Sequence, residues 1–135
     1  MLFLLDTNVI SDLMKRRPLT VARLGAIGVR DQAIICPIVR GEIFYGISRL
    51  SPGRWRDELH ARANGVLASI SCDPMPSGVA DQYAEIKRAA ELAGTPVADN
   101  DLWIAATAAN LGATLVTRDL AFRHITSLVI QDWSI

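Results

Sequence analysis

The chain has 135 residues, half of them hydrophobic, which is enough for one substantial core and too few for two ordinary domains. Its 14 Lys and Arg cancel its 14 Asp and Glu, so a globally basic nucleic-acid binder is excluded and an electrostatic partner has to be met by a local patch. Two cysteines, Cys36 and Cys72, make neither a metal-ligand spacing nor a disulfide framework, which fits a reducing cytoplasm.

In chain order, the apolar run ending at Asp6 is too short for a signal-peptide core or a membrane span. Leu2 to Leu5 instead read as a strand buried on both faces of a parallel sheet. "DTNVISDLMKRR" follows as a helix, with Val9, Ile10, Leu13 and Met14 inward and Asp12, Lys15, Arg16 and Arg17 turned elsewhere. Ala33 to Cys36 repeat the strand signature, and after Pro37 "VRGEIFYGISRL" predicts a helix with Val39, Ile43, Ile47 and Leu50 on one side. Glu42 falls in its first turns.

Ser51 and Pro52 interrupt the pattern before a third helix, from about Trp55 to Ile70, and "CDPMPS" reads as a loop. Ser77 is the expected N-cap of a helix carrying Val79, Tyr83, Ile86 and Ala90, which Gly94 ends and Pro96 prevents from resuming. "VADNDLWIAATAANLG" opens the next helix, with Asp99 or Asn100 as cap, Asp101 in the first turn and Gly112 just past the end. "TLVT" (Thr114 to Thr117) is another buried strand, and Leu128 to Ile130 a short final one. Strands alternating with helices predict an α/β fold: a three-layer α/β/α sandwich around a parallel sheet of four or five strands, as a single domain over residues 1–135.

In such sheets, ligands bind beyond the carboxyl ends of the strands at a switch in strand order. Asp6 directly follows the first strand and Asp119 follows "TLVT" after Arg118, so both emerge on that edge. Glu42 starts on the same edge, and Asp101 joins them if its helix begins there. Each has a plainer role available: a cap for Asp6, a solvated helix acid for Glu42, a helix-dipole partner for Asp101, a turn for Asp119. Converging carboxylates about 4 Å apart repel by roughly 4 kcal/mol per pair at an effective dielectric near 20. A hard divalent cation, Mg²⁺ or Mn²⁺, offsets that with oxygen ligands and supports phosphodiester hydrolysis without a catalytic His, Ser or Cys.

With these residues in place, the chain resembles a PIN-domain protein of the VapC type, the ribonuclease toxins of toxin–antitoxin modules. The match rests on "LLDTNV" (Leu4 to Val9), "RGEIFYG" (Arg40 to Gly46), "NDLWIAATA" (Asn100 to Ala108) and "TLVTRD" (Thr114 to Asp119), with "LVIQDW" near the end. The resemblance implies a Mg²⁺- or Mn²⁺-dependent endoribonuclease with Asp6, Glu42, Asp101 and Asp119 as metal-binding and catalytic acids. It also implies that Thr117 is a hydroxyl beside the site and that Thr7 and Asn8 form the polar turn after the first acid. A homodimer and a small antitoxin that obstructs the site are implied too. The cytoplasm and the absence of a membrane are expected from the cysteines and the short apolar run at the start.

Asp99 is a second acid just before Asp101, and Arg118 a candidate for phosphate binding or for neutralising nearby acids. "KRRP" (Lys15 to Pro18) and Arg49, Arg54 and Arg56 are candidate RNA-phosphate contacts, with solvated helix ends as the plainer reading. Trp55 and Trp103 lie in helical stripes, which favours core or dimer packing over base stacking. Two rivals stand beside the nuclease: a non-catalytic RNA- or protein-binding module, and a phosphatase of the haloacid-dehalogenase type. The phosphatase requires a second Asp where this chain has Asn8.

Overall fold

The computed structural model describes residues 1–135. Five short strands, β1 (Leu2–Leu5), β2 (Gln32–Ile35), β3 (Ser71–Cys72), β4 (Thr114–Val116) and β5 (Ile130–Gln131), form one parallel sheet in the order β3-β2-β1-β4-β5. Six helices flank it: α1 (Thr7–Met14), α2 (Pro18–Gly25), α3 (Pro37–Ser48), α4 (Arg54–Leu67), α5 (Val79–Ala93) and α6 (Asp99–Leu111). Of these, α1, α3 and α4 pack on one another, and α5 and α6 form a hairpin. The architecture is the expected α/β/α sandwich. No helix is long and apolar enough to cross a membrane.

β1 is central because it is apolar on both faces. Leu4 lies opposite Ile34 of β2 and Leu115 of β4, and all three are fully buried in one core cluster of 28 residues. From β1 the chain moves out to β2 and β3, then returns across the sheet through α5 and α6 to place β4 on the other side of β1. The strand order therefore reverses between β1 and β4, and a crevice opens beyond their carboxyl ends. Two left-handed residues make the return sharp: Gly94 (φ 68°) ends α5 and Gly112 (φ 62°) ends α6, a conformation that costs any residue with a Cβ more than it costs glycine.

The structure departs from expectation at several points. "CDPMPS" is not all loop: Ser71 and Cys72 pair with Ile34 and Ile35. Both are exposed, so no apolar run announces this edge strand. Helix α2 was absent from the periodic pattern because only Thr20 is buried on it. The chain turns at Arg16 (φ 55°) and restarts with Pro18 in the first turn, where a missing N–H costs nothing.

The N-cap of α5 is Gly78, and Ser77 contributes its backbone carbonyl to Ala80. Ala98 holds the cap position of α6, so neither Asp99 nor Asn100 caps it. Asp12 does not face solvent: it is 5 % exposed and paired with Arg118. Of the core and dimer packing expected for Trp55, the core is excluded, since the ring is 53 % exposed beneath the Arg62 guanidinium.

Candidate active site

The crevice is built on the register of β1 and β4. Leu5 lies opposite Val116, and the Asp6 N–H donates to the Val116 carbonyl at 3.0 Å, so the next residues, Asp6 and Thr117, leave the sheet side by side. Asp6 is only 5 % exposed, and both carboxylate oxygens are engaged. Oδ1 accepts from the Thr7 N–H at 2.8 Å, which makes Asp6 the N-cap of α1. Oδ2 accepts from the Thr117 hydroxyl at 2.7 Å and from Asn8 Nδ2 at 3.1 Å. Capping and site-building are thus done by one side chain.

Thr117 is the junction. Its hydroxyl donates to Asp6 and accepts from Asn8 Nδ2 at 3.0 Å and from the Asp119 N–H at 3.0 Å. Asn8 Oδ1 accepts from the Arg118 N–H at 3.4 Å. Asp119 accepts from the Ala121 N–H at 2.9 Å, capping the 3₁₀ turn Leu120–His124. On the other side, the Thr7 hydroxyl donates to Glu42 Oε1 at 2.7 Å and ties α3 to the start of α1. We expect Thr117→Val to leave buried partners unsatisfied and to lower stability by about 1–3 kcal/mol, read as a fall in Tm at neutral pH. An unchanged Tm would remove Thr117 from this role.

Asp6, Glu42, Asp101 and Asp119 line one pocket of about 400 Å³ together with Thr7, Asn8, Ser11, Lys15 and Arg118, with no hydrophobic residue among them. Asp101 reaches it because α6 leads into β4, so the helix starts at the carboxyl edge of the sheet. Burial raises the Asp6 carboxyl above its usual value, with further raising by Glu42 and Asp119, against lowering by the Thr117 and Thr7 hydrogen bonds. For Asp101, burial and then the charges of Asp6, Asp119 and Glu42 push the pKa up to about 6. Asp6 and Asp101 therefore sense the charges of the other acids at the pocket. They ring the pocket without closing on a point: no three His, Cys, Asp or Glu side chains stand tightly enough to hold an ion between them. Uncompensated like charges favour such an open ring.

A raised folded-state pKa means that Asp101 favours folding while protonated, below about pH 3.8, and loses that contribution as pH rises through about 6. Metal-free Asp101→Asn should accordingly match the parent's Tm near pH 4. It should exceed it by a few degrees above pH 7, a small margin because the group is half exposed and solvent-screened. Paired melts across this pH range check it, and a constant difference would contradict the coupling.

The remaining candidates separate by position. Arg118 touches the pocket, but its guanidinium is committed to buried Asp12, which answers its role as a neutraliser. Asp99 lies outside the pocket lining: it accepts from the Tyr83 hydroxyl at 2.9 Å and from Lys87 at 3.3 Å, which lower its pKa. Trp103 stacks on Tyr83 with centroids 3.9 Å apart, so packing accounts for it. Of "KRRP", Lys15 lies at the pocket. Ser11 and Lys15 were not read as pocket residues from the sequence, although Thr7, Ser11 and Lys15 are four apart, one stripe along α1.

The site's donors are all oxygens, and carboxylate oxygens suit a hard divalent cation better than zinc or copper. Comparison with known proteins adds the family context. The PIN domain model matches residues 3–128. Ribonuclease VapC1 of Haemophilus influenzae (strain R2866) is 32% identical over 137 residues, covering 99% of each chain. Among solved structures, VapBC2 from Rickettsia felis bound to a DNA fragment from its promoter superimposes with a TM-score of 0.89 at 25% identity, covering 98% of this chain and 99% of that one. VapBC-1 from nontypeable Haemophilus influenzae gives a TM-score of 0.86 at 28% identity over 100% of both chains.

Proposed function

The chain belongs to the PIN-domain family, in its VapC branch, and from that premise we propose that it is a metal-dependent endoribonuclease, the toxin of a toxin–antitoxin pair. The observation that carries this reading is the wholly polar pocket at the β1/β4 reversal, lined by four carboxylates from distant parts of the chain. Asp6, Glu42, Asp101 and Asp119 would hold the Mg²⁺ or Mn²⁺. When bound, the ion supplies Lewis-acid polarisation of a phosphoryl oxygen and a water acidified to a nucleophile.

The chain's own residues set the stage for that chemistry. Thr7, Asn8 and Thr117 fix the Asp6 oxygens from three directions, so this acid needs little reorganisation. The Thr7 hydroxyl holds Glu42 toward the same space. Lys15, at the pocket, offers a point charge to an RNA phosphate. Arg118 offsets Asp12 and leaves the four pocket acids unpaired by any arginine.

An antitoxin bound over this pocket would silence it, as a partner for a chain whose structural relatives include VapBC complexes. The phosphatase alternative loses further ground here, since Asn8 serves as a hydrogen-bond donor to Asp6. Labelled single-stranded RNA incubated with the purified protein and Mn²⁺ or Mg²⁺ should be cut at internal bonds, and EDTA should stop it. RNA bound tightly but left intact under all metal conditions would replace the enzyme with a binding module.

A further inference from the structure

We propose that the face of α3 beyond Glu42 is a nucleobase subsite, in which a single-stranded RNA base flanking the cleaved phosphate stacks on Tyr45 with Arg49 holding the adjoining phosphate. The inference rests on the ribonuclease reading and extends it to how substrate is held.

Glu42 begins a stripe. Tyr45, Gly46 and Arg49 follow it at three, four and seven residues, which on a helix is the same side. A second cavity, of about 550 Å³, runs along that stripe. Thr7 and Glu42 belong to both this cavity and the acidic pocket, so the two are continuous. Its volume falls within the roughly 300–1,000 Å³ of small-ligand sites. Asn100, the neighbour of Asp101, also lines it and carries an amide with both donor and acceptor capacity.

The chemistry of the lining fits a nucleotide better than an apolar partner. Tyr45 is 64 % exposed, so its ring contributes little to the core, and the Arg49 guanidinium carbon lies 5.6 Å from the ring centroid. This pairs a flat π surface with a neighbouring cation, the combination that binds single strands without sequence preference. The cation also matters for charge balance, because the neighbouring acids repel a polyanion.

Gly41 and Gly46 are the open floor. A Cβ built on either meets nothing within 4 Å, so neither glycine serves packing inside the chain. Each nevertheless costs the helix about 1 kcal/mol relative to alanine. Their missing side chains leave room on both flanks of the stripe, Gly41 beside Tyr45 and Gly46 beside Glu42. Bases in a duplex are stacked on each other and cannot lie on Tyr45, which restricts the occupant to an unpaired base.

The test uses the purified protein, a single-stranded oligoribonucleotide and the same sequence annealed as a duplex. Tyr45→Ala and Gly46→Leu should raise KM for the single strand by about 5- to 100-fold, the usual worth of one stacked base, with kcat little changed. Tyr45→Phe should behave as the parent. Gly46→Leu should also raise Tm, since leucine is the better helix former, which separates a blocked groove from a damaged fold.

Parent-like KM in both variants, a loss confined to kcat, or equal losses on duplex and single strand would each overturn the subsite. If the unaltered protein cuts no RNA, the ribonuclease reading fails by itself. The subsite is then judged by quenching of 2-aminopurine placed in the single strand: quenching lost in Tyr45→Ala supports it, and equal quenching in both proteins overturns it.

Discussion

Asp6→Asn is expected to reduce metal-dependent RNA cleavage by about 10³-fold or more while leaving a folded protein. The substitution keeps the shape and one oxygen, so the Thr7 N–H retains an acceptor and α1 keeps its cap. It removes the charge, and it places an NH₂ where Oδ2 receives Asn8 Nδ2, turning an acceptor into a competing donor. Because burial already raises this carboxyl, loss of the charge relieves a desolvation penalty at neutral pH, and Tm should not fall far. Single-turnover cleavage and a thermal melt on the same preparation decide the matter. Cleavage within about tenfold of the parent by a well-folded Asp6→Asn protein would end the assignment of Asp6 to the chemistry.

The largest stability effect should come from Leu4→Ala. Leu4 is fully buried between Ile34 and Leu115, the central layer of the sheet. Truncating it removes transfer free energy and leaves a cavity that three rigid strands cannot close, a loss of about 3–5 kcal/mol. For a domain of this length that is a Tm drop of roughly 10–20 °C. The contrasting control is Leu92→Ala, whose side chain is 71 % exposed and whose change should stay within about 0.5 kcal/mol. Equal effects at the two sites would mean that β1 is not the centre of the core.

The central sheet was readable because its strands are mostly apolar: Leu2 to Leu5 and Ala33 to Cys36 are uniformly so, and Leu115 and Val116 carry the same signal between two threonines. The edges were not. Ser71–Cys72 is two exposed residues long, and α2 buries little, so neither has a periodic signal to detect. Asp6, Glu42, Asp101 and Asp119 were legible as site candidates because each follows or opens an element on the same edge. The hydrogen bonds joining Thr117 to Asp6 and Asn8 span more than a hundred residues and depend on strand register, which local pattern cannot supply. Asp12 misled for a similar reason. Its place off the inward stripe gave no hint of burial, but Arg118 arrives from more than a hundred residues away to pair with it.

The position of β1 has a temporal consequence. The strand at the middle of the sheet is made before its neighbours, and the one that completes its second flank follows only at Thr114–Val116. Closing a loop of that length is slow, and it is required before Asp6 can meet Thr117. A nascent chain stopped before Thr114 would thus carry three of the four acids and three of the five strands, with one side of β1 open to solvent. On the proposed reading, chain topology withholds the nuclease site until β4 and Asp119 have been made.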